Sequence, residues 1–320
     1  MTMQPVPSIG KDTELTVRMW LTMFLLAVVF VGFLGILFVL GLNWIFILVI
    51  AVLMAGFQYF MSDKLVLWTT RAKVVTAEQE PKFHATVEKL AERAGIPKPK
   101  KLAIMETHVP NAFATGRNPK NAVVAVTRGL LDRLDESEVE AVLGHELAHV
   151  KNRDVAVMTW ASLVVIMAGY LMQMLFWMSL FGGFGGRSRR SGNGGQAAIF
   201  IMLAMAVTIV VYFISQILIM ALSRYREYAA DRGGAILTGT PLKLASALAK
   251  ISDQVYRIPE KDLRQVEHAN AFFIIPALKG NSIASLFSSH PPVEKRIAKL
   301  EAMQQEIQQN RLRPRQFRIN

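Results

Sequence analysis

The sequence predicts an α-helical multi-pass membrane protein with four spans, joined to a mainly-α, α+β polar domain that carries a small β-sheet. Three observations predict it. Of 320 residues, 52% are hydrophobic and only 19% charged, where ordinary soluble domains carry roughly a quarter charged. The apolar residues gather into long uncharged runs. Between and after those runs, the polar segments alternate helical spacing with short β-branched stretches.

The first run, residues 19–62, holds 44 residues without a charge, about twice the roughly 20 needed to cross a bilayer. Gly41, Leu42 and Asn43 supply a tight polar break near its middle, and Trp20 and Trp44 fall where interfacial aromatics belong. The run exceeds the apolar core of a cleaved signal peptide and lacks a small-residue cleavage site. It reads as a retained transmembrane hairpin behind a short N-terminal segment, residues 1–18.

Residues 63–154 form the first part of the polar domain. Glu78 to Gly95 has helical spacing (Phe83, Val87, Leu90, Ala94) and stops at Gly95 ahead of Pro97. Lys101–Glu106 and Ala122–Thr127 are β-branched-rich and separated by turn residues, so they read as strands. Asp135 and Glu138 then make a capping-box pattern, opening a helix with Val139, Leu143, Leu147 and Val150 on one face.

Residues 155–223 read as a second hairpin, from uncharged runs of 32 (155–186) and 33 (191–223) residues. The alternative, a buried or re-entrant hairpin, suits shorter runs. Between them lies a Gly/Arg loop, residues 182–195, with seven glycines in 14 positions, too poor in hydrophobic mass to pack. Residues 224–306 complete the polar domain. The basic tail, 307–320, with Arg311, Arg313, Arg315 and Arg318, is expected to be disordered.

Four crossings place 1–18, 63–154 and 224–320 on one side. Ten Lys and Arg then flank the spans on that side against three on the other. The positive-inside rule makes it the cytoplasm, and the localisation expected is the cytoplasmic (inner) membrane. The formal charge of +12 thereby finds its partner in the anionic lipid surface, and no nucleic acid is expected. The chain has no cysteine, which excludes disulfides, thiolate metal sites and a cysteine nucleophile. Any metal must be held by nitrogen and oxygen.

The capped helix contains His145-Glu146-Leu147-Ala148-His149. Residues four apart lie about 40° apart around a helix and one turn along it, so both imidazoles reach one ion with Glu146 beside it. A catalytic zinc takes three protein ligands and leaves one position for water. Beyond the last run, Glu227 and Asp231 again stand one turn apart. Glu227 is a candidate third ligand from a second helix, and Asp231 a candidate acceptor for the free N–H of a ligand histidine. By themselves, two surface histidines and a solvated Glu/Asp edge remain the plainer alternatives. Both metal elements lie within roughly 10 Å of membrane ends by helical rise.

With these residues in view, the chain resembles the HtpX-type membrane zinc metalloproteases, related more distantly to the CAAX prenyl proteases. The resemblance covers nearly the whole length. It runs through the early hairpin, Val109-Pro110-Asn111-Ala112-Phe113-Ala114, His145 to His149, the inserted second hairpin, Glu227 to Asp231, and Ser289-His290-Pro291-Pro292 with Arg296. It implies a zincin-like metalloprotease domain facing the cytoplasm, one Zn2+ held by His145, His149 and Glu227, and Glu146 as the catalytic base. It also implies that Asn111, Ala112 and Phe113 lie on an edge strand that pairs with an extended substrate, with Asn111 holding substrate backbone. His290 and Arg296 are implied to approach the site and stabilise the transition-state oxygen. His84, His108 and His268 lack a partner at metal spacing and read as surface or packing residues.

The function expected is zinc-dependent endopeptidase action on unfolded or misfolded membrane-protein segments, in protein quality control. A prenyl-protein (CAAX-type) endopeptidase is one alternative. A non-enzymatic zinc-binding membrane scaffold or transporter is another, against which stands the lack of ionisable groups in the spans. Oligomeric state and cleavage rules are not legible.

Overall fold

The computed structural model describes residues 12–182, 194–257 and 290–312. Residues 1–11, nearly all of the Gly/Arg loop, His268, Ser289 and residues 313–320 lie outside the described residues. Four helical stretches are long and apolar enough to cross a membrane: Thr13–Val39, Trp44–Met61, Asp154–Leu180 and Ile199–Thr238. The chain is a mostly helical multi-pass membrane protein with a small mixed sheet.

Helix α1 (Thr13–Val39) starts where the Asp12 carboxylate accepts the Leu15 N–H at 2.9 Å. Leu40, Gly41 (φ 67°) and Leu42 turn the chain, and Asn43 caps α2 (Trp44–Thr69). Only a residue tolerant of the left-handed region fits at Gly41. Helix α2 runs past the uncharged stretch because Leu65, Val66 and Leu67 continue its apolar face. There Val66 and Leu67 pack on Ala103, Met105, Phe113 and Ala125 of the sheet. One helix thus joins bilayer to polar domain.

The sheet has the order β1-β2-β4-β3. It comprises β1 (Lys73–Val74), β2 (Lys101–Met105), β3 (Ala112–Thr115) and β4 (Val123–Thr127), with α3 (Pro81–Ala94) between the first two. Strands β2 and β4 are parallel, Lys101 opposite Val123, while β3 runs antiparallel to β4 with Phe113 opposite Ala125. All five β4 residues are buried, as befits an interior strand covered on both faces. β3 is an edge strand.

A short helix α4 (Arg128–Leu131) leads into α5 (Glu136–Lys151), which is buried along most of its length. The expected capping box is present: Glu138 N–H donates to Asp135 Oδ1 at 2.8 Å, and Asp135 N–H to Glu138 Oε2 at 3.0 Å. Phe83 and Leu90 of α3, Ile104 and Val126 of the sheet, and Leu143 and Leu147 of α5 share one core.

The third span is two helices, α6 (Asp154–Ala161) and α7 (Leu163–Gly182). At the junction Thr159 and Ser162 turn their hydroxyls onto the Val155 and Thr159 carbonyls, at 2.8 and 2.9 Å, a back-bonding that loosens a helix. Helix α8 (Gly194–Thr238) is uninterrupted for 45 residues. The metal residues expected on a second helix therefore share one helix with the fourth span, because no Gly or Pro stands between Ser223 and Glu227.

Helices α9 (Pro241–Arg257) and α10 (Val293–Leu312) complete the fold. Part of the tail expected to be disordered, 307–312, is helical. The reason is that Ile307 continues the buried stripe of Leu300 and Met303. In the bilayer layer, Phe33, Ile47, Met167, Leu171 and Val211 of four helices form a separate core. Trp20, Phe24, Met202 and others point outward with more than half their area exposed, as lipid-facing side chains do.

Candidate metal centre and active site

Two helices bring the candidate residues together. Helix α5 carries His145 and His149 and crosses α8 so closely that a Cβ on Gly234 would stand 2.7 Å from the His145 backbone nitrogen. Glycine is what permits this approach. One and two turns before Gly234, Asp231 and Glu227 then face the histidines.

His145 Nε2 and His149 Nε2 are 3.2 Å apart. Glu227 straddles them, Oε1 3.4 Å from His149 Nε2 and Oε2 3.6 Å from His145 Nε2. Ligands at 2.0–2.1 Å from a tetrahedral zinc are separated by about 3.4 Å, and these separations, the last two made by different Glu227 oxygens, are of that size. Glu227 Oε2 is buried and accepts no well-aligned hydrogen bond, though Arg296 Nη1 stands 3.4 Å from it, and two imidazoles with a carboxylate are donors that zinc takes. The donor set fits zinc.

Each histidine is held from behind. Asp231 Oδ1 lies 3.0 Å from His145 Nδ1, an ion-pair distance without the alignment of a good hydrogen bond. Asp154 Oδ2 lies 2.5 Å from His149 Nδ1. Such carboxylates leave Nε2 for the metal. Burial opposes charge on His149, but Asp154 and Glu227 outweigh it and push its pKa up to about 10.

Behind the carboxylates stand two arginines. Arg226 Nη2 reaches Asp154 Oδ2 at 2.9 Å. Arg296, fully buried, grips Asp231 with Nε at 2.8 Å and Nη2 at 2.6 Å. Burial opposes its charge, yet Asp231 and then Glu227 hold its pKa above the ordinary arginine value. The fork expected to stabilise a transition-state oxygen is thus engaged by Asp231, with Nη1 3.4 Å from Glu227 Oε2. Its contacts are those of a positioning residue.

His290 Nδ1 is 3.2 Å from Glu227 Oε2, and the ring lines the same cavity as His145, Glu146, His149 and Glu227. That cavity, of about 550 Å3, is also lined by Ala112 and Phe113. Asn111 is not on its wall. It is completely buried, and its backbone exchanges hydrogen bonds with Thr127, N–H to Oγ1 and N–H to C=O both 2.9 Å. Of the histidines set aside, His84 places Nε2 3.0 Å from the Val75 carbonyl.

Asp154 and Arg226 were not among the residues expected from sequence. On a continuous helix, a residue five past His149 would point well away from it. Here Arg153 takes a left-handed conformation (φ 55°) between α5 and α6 and folds Asp154 back beneath the ring. The only local signal is the polar run Lys151-Asn152-Arg153-Asp154 at the end of the apolar helix.

Both halves of this centre fall within residues 77–304, which match Peptidase family M48. The chain belongs to that family. This M48 peptidase is 54% identical over 304 residues to a protease HtpX homolog of Moorella thermoacetica, covering 95% of this chain and 99% of that one. It is 53% identical over 297 residues to protease HtpX homolog 2 of Methanosarcina mazei, covering 93% and 98%. The crystal structure of S. mikatae Ste24p shares the fold, with a TM-score of 0.56 at 18% identity over 89% of this chain and 67% of that one. The M48 peptidase is a multi-pass membrane metalloprotease of HtpX type, with zinc as the family's metal.

Proposed function

We propose that the protein is a zinc-dependent endopeptidase that cleaves unfolded loops and tails of misfolded membrane proteins at the cytoplasmic face of the inner membrane. The observation that carries this reading is the convergence of His145 Nε2, His149 Nε2 and the Glu227 carboxylate beside Glu146 on one cavity wall. When bound, zinc polarises water and the scissile carbonyl.

The chain's own residues supply the rest. Glu146 takes the proton of the attacking water and delivers it to the departing nitrogen. His290 is the donor assigned to the carbonyl oxygen as it gains charge. Asp231 and Asp154 hold the ligand rings, and Arg296 holds Asp231. The edge strand β3 receives the substrate as an added strand, its Ala112 and Phe113 on the cavity wall. Buried Asn111 then fixes the start of that strand instead of holding substrate itself.

Two features support a substrate from the membrane. The cavity wall includes Gln58 and Val155, near ends of the spans, and Ser223, where the last uncharged run stops, and the basic flanks favour the cytoplasmic side. The likeness to Ste24p is one of fold, so a prenyl-protein endopeptidase is not adopted.

The test measures bound metal and cleavage of an unfolded membrane-protein substrate for the parent and Glu146→Gln. Both proteins should hold about one zinc, and the variant should lose at least roughly 10²-fold in cleavage. Chelator-insensitive hydrolysis, or full cleavage by the zinc-loaded variant, overturns the reading.

A further inference from the structure

The cavity has a second wall that bond cleavage does not use. On the α6 and α8 side of His149, two guanidinium-bearing residues, Arg153 and Arg226, line it. Arg226 is only 9% exposed. Its Nη2 holds Asp154, but its Nε is buried with no hydrogen-bond partner. An idle buried donor costs free energy that a ligand can recover.

Arg226 shares Asp154 with His149. The same Oδ2 atom that faces Nη2 also accepts the His149 Nδ1–H. Arg153 makes no ion pair among the described residues, and its left-handed φ of 55° is uncommon for a residue with a side chain. Such local cost clusters at binding sites. Val155 and Met158 beside the two arginines are apolar, so an anion placed here is partly screened from water. With one of the two positive charges paired to Asp154, a monoanion restores neutrality and a dianion overshoots it.

We infer that Arg226 and Arg153 form a carboxylate-binding subsite of the substrate cavity. The carboxylate comes from the free C-terminus of the polypeptide or from an Asp or Glu side chain near the scissile bond. A guanidinium fork matches a carboxylate in plane and charge. This inference rests on the cavity being the peptide-binding site of the protease.

The experiment reads binding, not turnover. Zinc-loaded Glu146→Gln protein in nanodiscs, its metal content measured, is titrated with fluorescent unfolded peptides of one sequence. One ends in a free carboxylate, one in an amide, and two amidated versions carry Glu or Gln at an interior position. A carboxylate form should bind about tenfold tighter than its neutral counterpart. Gain with the free terminus identifies the C-terminus as the source, and gain with interior Glu identifies the side chain. Adding Arg153→Gln, at an exposed position, should reduce the discrimination while binding of the neutral peptide stays within about twofold. General damage would instead weaken all the peptides. Arg226→Gln, which also takes a partner from Asp154 behind His149, should erase the discrimination and is read in protein whose zinc content is unchanged.

Equal binding of all four peptides overturns the subsite. So does discrimination that survives both substitutions. Absence of zinc from the Glu146-intact parent, or its failure to cleave any peptide, would instead count against the protease reading, which this measurement leaves separate.

Discussion

Asp154 Oδ2 stands 2.5 Å from His149 Nδ1, so the second metal histidine is fixed by a carboxylate lying just past the end of its own helix. The first, His145, is held by Asp231 on α8. The two rings are thus held by carboxylates from different helices, α8 and α6.

Asp154→Asn keeps the shape and removes the charge behind His149. Zinc affinity should fall about 10–100-fold. Competition against a chelator of known strength measures it, with circular dichroism to confirm that the helices persist. Unchanged affinity would show that Asp154 does not tune the ligand.

Arg296→Ala leaves the buried Asp231 carboxylate without its two donors. The expected destabilisation is about 3–5 kcal/mol, the usual cost of orphaning one member of a buried pair, read by denaturant unfolding in detergent. Arg296→Lys should recover little, because a single ammonium cannot reproduce the fork made by Nε and Nη2.

Glu138 ties α5 to α9. It accepts from Ser246 Oγ at 2.7 Å and Lys250 Nζ at 2.8 Å, besides capping α5. Burial raises its pKa, but Lys250, Ser246 and the Asp135 N–H together bring it below the ordinary value of 4.5. A carboxyl with a depressed folded-state pKa contributes stability that is present above the unfolded value and lost as pH falls through the folded one. Unfolding midpoints should therefore drop below about pH 4.5, the ordinary carboxyl range. In Glu138→Gln that acid limb should be shallower. Identical slopes in both proteins would remove Glu138 from the account.

Gly234→Ala sets a methyl against backbone atoms only, 2.7 Å from His145 N and 2.9 Å from its Cα. No side chain can rotate away, so α5 and α8 must separate. A loss of about 1–3 kcal/mol is expected, together with weaker zinc binding as Glu227 retreats from the imidazoles. Gly56→Ala, with nothing within 4 Å of the new methyl, is the control and should bind zinc normally.

Much of this was legible in the residues themselves. The four crossings follow from charge-free length, and α5 from the Asp135/Glu138 box with His145 and His149 at a four-residue step. Strands β2 and β4 follow from β-branched runs. What composition does not encode is contact between distant segments. The Asp154 contact depends on a left-handed turn at Arg153, and the grip of Arg296 on Asp231 joins two helices 65 positions apart. The break at Ser162 and the continuity of α8 past Ser223 were hidden because hydropathy registers where charge is missing, not where a helix bends or persists.

That continuity has a mechanical consequence. At 1.5 Å per residue a 45-residue helix is a rod of roughly 68 Å, anchored in hydrocarbon for much of its length and bearing the candidate metal-binding carboxylate of Glu227 toward its far end. A rigid lever cannot tilt at one end only. A change of bilayer thickness that tilts this span should therefore load the α5–α8 crossing at Gly234, beside which Glu227 meets the two imidazoles.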